Sequence, residues 1–211
     1  MKVKFSGWRA GAPFYIPALA AGAGLVAWAA NAGHPLWGLP ALAPGLFALN
    51  FFRDPRRAIS TRPGYVVSPA DGKVTAVETL DSTPWYAGRC TRISIFLSVF
   101  NVHVNRSPAQ GTILKIEHRD GLFKNAMDPT SSEVNESNTL WLETAQGPMT
   151  VRQISGLIAR RIVCPAQAGE ALARGEKFGF CEPHPGVRRL TMTVTLAILP
   201  AGSQSSRLQR E

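Results

Sequence analysis

Apolar positions in this chain follow two regimes. Between Arg9 and Arg53 there is no Lys, Arg, Asp or Glu. That stretch breaks at Asn31-Ala-Gly-His-Pro35, where turn-forming residues cluster, leaving apolar segments at 14–30 and 36–52. Each holds about 17 residues, the short end of what crosses a hydrocarbon layer of ~30 Å. Pro13, Pro17, Pro40 and Pro44 are expected to kink or shorten the helices, so two full spans and a shallow re-entrant hairpin both satisfy the pattern. From residue 60 onward, short runs rich in Val, Ile and Thr alternate with turn residues. They predict strands at 65–67, 73–79, 92–99, 112–118, 139–143, 150–154 and 158–163, with one more within 190–200. Helical periodicity shows only near 166–174.

The expected fold is therefore mainly β, an antiparallel sandwich or flattened barrel behind an N-terminal membrane helical hairpin. Residues 1–57 read as a membrane anchor of two short apolar helices, 58–200 as the β-rich domain, and 201–211 as a polar, disordered tail. The stretch 122–137 is polar and reads as a mobile loop, of the kind that often serves as a lid.

Charge sharpens the first regime. Lys2, Lys4 and Arg9 precede the apolar hairpin, and Arg53, Arg56 and Arg57 follow it. With both ends basic, the positive-inside rule places both on the cytoplasmic face. Trp8, Trp28 and Trp37 fall where amphipathic rings favour an interface. A cleaved signal peptide would carry one apolar run rather than two, and a buried soluble hairpin would show polar residues every few positions.

Over the whole chain the net charge is +9 with only 18% charged residues. The excess is spread along the sequence, so it favours an anionic partner without naming it. Nucleic acid is disfavoured by the absence of a recognition motif or a basic stripe interleaved with aromatics. Cys90, Cys164 and Cys181 form neither a C-x-x-C pair nor a metal spacing, which argues against a disulfide framework or a zinc site.

Three stretches carry candidate chemistry. Ser68-Pro-Ala-Asp-Gly72 is a turn between two strands, in which Asp71 could simply bond backbone amides. In Phe96-Leu-Ser-Val-Phe-Asn-Val-His-Val-Asn-Arg-Ser-Pro108, His103, Asn105 and Arg106 interrupt an apolar strand, and burying them is costly unless they are paired or used. His103 is suited to proton transfer near neutral pH; a structural histidine is the alternative. Arg152-Gln-Ile-Ser-Gly-Leu-Ile-Ala-Arg-Arg-Ile-Val163 with Gly175-Glu-Lys-Phe-Gly179 has a strand–turn–strand rhythm. It fits a plain hairpin or a half-barrel of the biotinyl/lipoyl type, but the carrier lysine at the tip is missing.

In their order, these stretches resemble the short bacterial form of phosphatidylserine decarboxylase. Phe51-Phe-Arg-Asp-Pro55, Gly111, Gly121-Leu-Phe123, Glu136 and Ala159-Arg-Arg161 extend the likeness over about 170 residues. The resemblance implies decarboxylation of phosphatidylserine to phosphatidylethanolamine in phospholipid biosynthesis. It implies a proenzyme that cuts itself at a Gly-Ser bond and turns the serine into a covalent pyruvoyl group, with no metal. It assigns Asp71 to activating that serine during self-cleavage, and His103 to acid–base work beside the substrate. It also implies a bacterial inner membrane with the soluble domain on the cytoplasmic side, an anionic phospholipid surface and phosphatidylserine as partners, and room for a homo-oligomer.

The likeness breaks abruptly after Phe178-Gly179. The expected Gly-Ser pair is occupied by His184-Pro185, and Pro185 can neither form the ester intermediate nor become a pyruvoyl group. The one Gly-Ser, Gly202-Ser203, lies about eighteen residues farther on, where Ser203 would have little chain after it to anchor a cofactor. A frameshift near residue 180, a folded but inactive paralogue that binds lipid or partners the active enzyme, and a rebuilt C-terminal end are the readings open at this point.

Overall fold

The computed structural model describes residues 6–125, 128, 130–156, 161–182, 191–198 and 207–208. The chain divides into two compact units, one of Ser6–Arg56 and one comprising Met1–Phe5 with Arg57–Glu211.

In the smaller unit, α1 (Gly7–Asn31) runs unbroken through Pro13 and Pro17. At ~1.5 Å per residue it is about 37 Å long, enough to cross a hydrocarbon layer, and it is the one described helix long and apolar enough to do so. The second apolar segment, whose prolines are expected to kink or shorten the helix, is interrupted. It breaks into α2 (Pro35–Gly38), a 3₁₀ turn (Leu39–Leu42) and α3 (Ala43–Phe51). Pro40 and Pro44 explain this: each lacks an N–H and its ring crowds the preceding turn, so each is accommodated at the start of a new helical piece.

The two arms pack antiparallel through glycine. A Cβ on Gly22 would lie 2.7 Å from the Ala41 carbonyl oxygen, one on Gly38 2.5 Å from the Val26 Cα, and one on Gly45 2.7 Å from the Leu19 side chain. Small residues between helices with apolar exteriors are how helices associate when burial from water is not available to drive them. The exterior here is indeed apolar, with Ile16, Leu25, Trp28, Leu36, Trp37 and Phe47 exposed. Because the obstacle at Gly38 is backbone, we expect Gly38→Val to split the arms. Its check is cross-linking between cysteines placed in α1 and α3, which should fall at least severalfold.

At the base of the hairpin, Gly7 N donates to the Asp54 carboxylate at 3.2 Å, an anion at a helix N-terminus. Phe52 stacks on Phe14 with ring centroids 5.2 Å apart.

The larger unit is mainly antiparallel β, as the pattern predicts. Its strands are β1 (Tyr65–Val66), β2 (Lys73–Leu80), β3 (Cys90–Ser98), β4 (Val104–Arg106), β5 (Gly111–Arg119), β6 (Ser137–Thr144), β7 (Gly147–Ile154), β8 (Arg161–Val163), β9 (Ala171–Leu172), β10 (Lys177–Glu182), β11 (Thr191–Ile198) and β12 (Arg207–Leu208). Seven of them form one sheet in the order β2-β3-β11-β7-β6-β5-β9, and β4-β10-β8 form a second. Both sheets are open. Side chains of both share one core, with Ile93, Leu97, Leu140, Val151, Val194 and Leu196 from the large sheet and Ile162, Phe178 and Cys181 from the small one.

Three expectations change. Residues 166–174 are not helical: Gly169 (φ 83°) and Gly175 (φ 74°) turn the chain in the left-handed region, with only β9 between them. The stretch 122–137 is less free than its polarity suggests. Ser131–Val134 forms a helical turn, α4, and fully buried Asn135 donates through Nδ2 to the Lys124 and Ser155 carbonyls at 2.9 Å each. In the tail, Arg207 and Leu208 pair in parallel with Tyr65 and Val66; the rest of 201–211 lies outside the described residues, as do 158–160 of the predicted strand 158–163.

Candidate functional site

The segments singled out in the sequence meet around β4. Arg106 N donates to the Pro69 carbonyl at 2.9 Å, tying β4 to the Ser68–Gly72 turn, and Val67 N donates to the Pro108 carbonyl at 2.9 Å. Ser107 N reaches the Glu176 carbonyl and Gly175 N the Ser107 carbonyl, both at 2.8 Å, which fastens Gly175–Gly179 to the same strand. A Cβ at Gly175 would lie 2.5 Å from Ile59, and one at Gly72 2.4 Å from the Phe96 carbonyl oxygen, so close packing as well as turning demands glycine at both places.

Asp71 and His103 lie on these joined segments with separate environments. Asp71 is part-exposed and its carboxylate meets the Arg57 guanidinium, not the turn amides that an Asp-Gly turn suggests. His103 is 2% exposed, and its Nδ1 lies 3.0 Å from the Asn101 carbonyl oxygen. A carbonyl only accepts, so Nδ1 carries the proton and Nε2 of the neutral ring holds the basic lone pair. Asn101 is itself fixed by Ser98, whose N and Oγ both donate to Asn101 Oδ1 at 2.8 Å.

Beside them runs a row of amides that joins Asn105, already singled out in the sequence, to two residues that sequence reasoning missed. Asn138 and Gln153 are cross-strand partners in β6 and β7. Asn138 Nδ2 donates to Gln153 Oε1 at 3.0 Å, and Gln153 Nε2 donates to Asn105 Oδ1 at 2.7 Å, linking the large sheet to the small one. All three are 2% exposed or less. Gly179, paired with Asn105 in β10, passes so close that a Cβ there would sit 3.3 Å from Gln153 Nε2. The detectable signal was amides at inward positions of otherwise apolar strands; their partnership needed the register.

Two charged groups border this region. Arg152 is 2% exposed and its guanidinium stacks on Trp85 at 3.7 Å. It donates to the Ser132 carbonyl at 2.6 Å and to Ser137 Oγ at 2.9 Å. Burial, then the nearby Arg119 charge, brings it down to about 10.

Glu136 is 8% exposed, with Oε1 3.4 Å from His118 Nε2. Burial outweighs a backbone hydrogen bond from Ile162 and the His118 charge, and raises its pKa. A carboxyl raised in the folded state gives stability that is full below its ordinary value of 4.5 and lost as pH rises through the folded value. Glu136→Gln is therefore expected to melt with the parent near pH 4 and above it at pH 7, as thermal denaturation at both pH values will show.

A self-made pyruvoyl group needs a serine. None occurs from Phe180 through Gly202, and Pro185 stands where the pair is expected; residues 184, 185 and 203 lie outside the described residues. The residues at that position do not fit the group. Among the described residues no cluster of three or more His, Cys, Asp or Glu is arranged to hold a metal ion, and no disulfide joins Cys90, Cys164 and Cys181.

Comparison with known proteins agrees with the motif order. The sequence profile of the phosphatidylserine decarboxylase family matches residues 45–183. The phosphatidylserine decarboxylase proenzymes of Nitrosomonas eutropha and Nitrosomonas europaea are each 47% identical over 146 residues, covering 69% of this chain and 67% of theirs. That of Burkholderia ambifaria is 46% identical over 136 residues, covering 64% of this chain and 63% of its own. The profile match ends at residue 183, just before His184-Pro185. The chain belongs to the phosphatidylserine decarboxylase family.

Proposed function

We propose that this protein recognises phosphatidylserine at a bacterial cell membrane as a decarboxylase by descent, and that in the present sequence self-cleavage at the family position does not occur. The family's reaction removes the serine carboxylate as CO2 and leaves phosphatidylethanolamine. The observation that carries the reading is the joining of Ser68–Gly72, Asn105–Pro108 and Gly175–Gly179 around β4 by backbone hydrogen bonds, which keeps the family's site segments together although the cleavage pair is gone. His103, with its lone pair on Nε2, is positioned as a proton acceptor or donor. Asp71 is the residue assigned to activating a nucleophile during cleavage, and its carboxylate is paired with the Arg57 guanidinium.

Residues 1–57 serve as the anchor, with 58–200 on the cytoplasmic side. The return of the hairpin to its starting end supports that sidedness, because Arg9, Arg53 and Arg56 then face one surface. Anionic lipid there attracts each such residue by about 1 kcal/mol.

A second reading, a non-catalytic family member that binds lipid or partners an active enzyme, is favoured by one observation: β11 completes the sheet with no cut between β10 and β11 required. The full chain reconstituted in vesicles with labelled phosphatidylserine separates the readings. We expect the lipid to be bound and its headgroup to stay intact; labelled CO2 would show that a pyruvoyl group forms elsewhere.

A further inference from the structure

We infer that Asn105 is the residue that receives the carboxylate of the lipid's serine headgroup, presented by the relay Asn138–Gln153–Asn105. The direction of the relay is fixed by its bonds. Gln153 gives its oxygen to Asn138 and its nitrogen to Asn105, so Asn105 uses its oxygen as acceptor and turns its Nδ2 away from Gln153. That Nδ2 has no hydrogen-bond partner among the described residues, although Asn105 is 0% exposed. Ser155 Oγ, two residues along from Gln153, is likewise buried without a partner among them.

A buried donor left unmatched is unfavourable, a cost that a purely structural bridge between two sheets has no reason to bear. Three amides aligned head to tail make the terminal N–H pair a better donor than a single amide. Its complement is an oxygen that only accepts, and a carboxylate is the strongest such group on a serine headgroup. Asn105 is also two residues from His103, which immediately precedes β4.

This inference rests on the reading of the protein as a phosphatidylserine binder, and its test separates the two. The full chain in detergent micelles, ¹⁵N-labelled and assigned, is titrated with glycerophosphoserine and with glycerophosphoethanolamine, which differ only in the carboxylate. The expected result is that the Asn105 side-chain amide pair shifts with the serine compound alone, which binds at least tenfold more tightly. In Asn105→Asp, where an oxygen replaces the donor, that preference should vanish. If Asn105→Asp fails to fold, the wild-type resonances decide. Preferential binding of the serine compound with an unmoved Asn105 amide overturns this inference and leaves the functional reading standing. Equal binding of the two compounds also overturns it. Failure of both to bind removes the functional reading and this inference with it.

Discussion

Purified in detergent and denatured, the protein should give a single 22.8 kDa chain, with an intact mass showing no loss. Family processing requires a hydroxyl that attacks the preceding carbonyl, passes through an ester and leaves a ketone on the new N-terminus. Pro185 supplies no hydroxyl, so the ester cannot form there whatever Asp71 does. Two chains, the smaller blocked at its N-terminus, would overturn this, and the small fragment's mass would report whether Ser203 was used. The paired substitution His184→Gly with Pro185→Ser should bring the two-chain pattern back, read by the same gel. Sequencing the coding DNA across codon 180 in all three frames bears on the same point, since an intact family continuation in another frame would mark a frameshift.

The second large effect is expected at Leu196. Although β11 lies beyond residue 183, where the family match ends, it is a central strand. It pairs with β3 from Thr191↔Ser98 to Ile198↔Thr91 and with β7 from Thr193↔Ile154 to Ala197↔Thr150. Val194 and Leu196 are 0% exposed and Ile198 3%, alternating as a strand with a core face requires. Leu196→Ala should cost about 2–5 kcal/mol, which for a chain of this size lowers the melting temperature by roughly 4–20 °C. Leu196→Asp, burying an unpaired carboxylate, should abolish the cooperative melt. Val77, on β2 and 59% exposed, is the control: Val77→Ala should change stability by under about 0.5 kcal/mol. Circular dichroism melts in one detergent check all three. The whole folded unit thus depends on residues outside the recognisable family sequence.

Most strands were legible because their apolar residues repeat every second position, as in Cys90–Ser98 and Gly147–Ile154. β10 was not, since Lys177-Phe-Gly-Phe-Cys-Glu182 reads as a glycine-containing turn until Phe178 and Phe180 are seen in the core and Gly179 beside Asn105. The prolines of the second apolar segment were visible, but their outcome as three short helical pieces depended on how closely the glycines let it lie along α1. Of the site, His103 could be found from its strand, since a histidine among Val and Phe residues is conspicuous. Asn138 and Gln153 could not be linked, because they are fifteen positions apart and meet only through the pairing of β6 with β7. Glu136 and His118 owe their closeness to the neighbouring pairing of β5 with β6.

The hairpin also bears on how the protein enters a bilayer. Its two arms start and finish at the same end, where Asp54 caps Gly7, and no Lys, Arg, Asp or Glu lies between Arg9 and Arg53. An electric potential across a membrane does about 2.3 kcal/mol of work per 100 mV on each elementary charge that crosses. None of those residues crosses here, whatever depth the tip reaches. Insertion should therefore proceed equally well in energised and de-energised vesicles, driven by the apolar exterior of the hairpin and indifferent to the voltage of the cell.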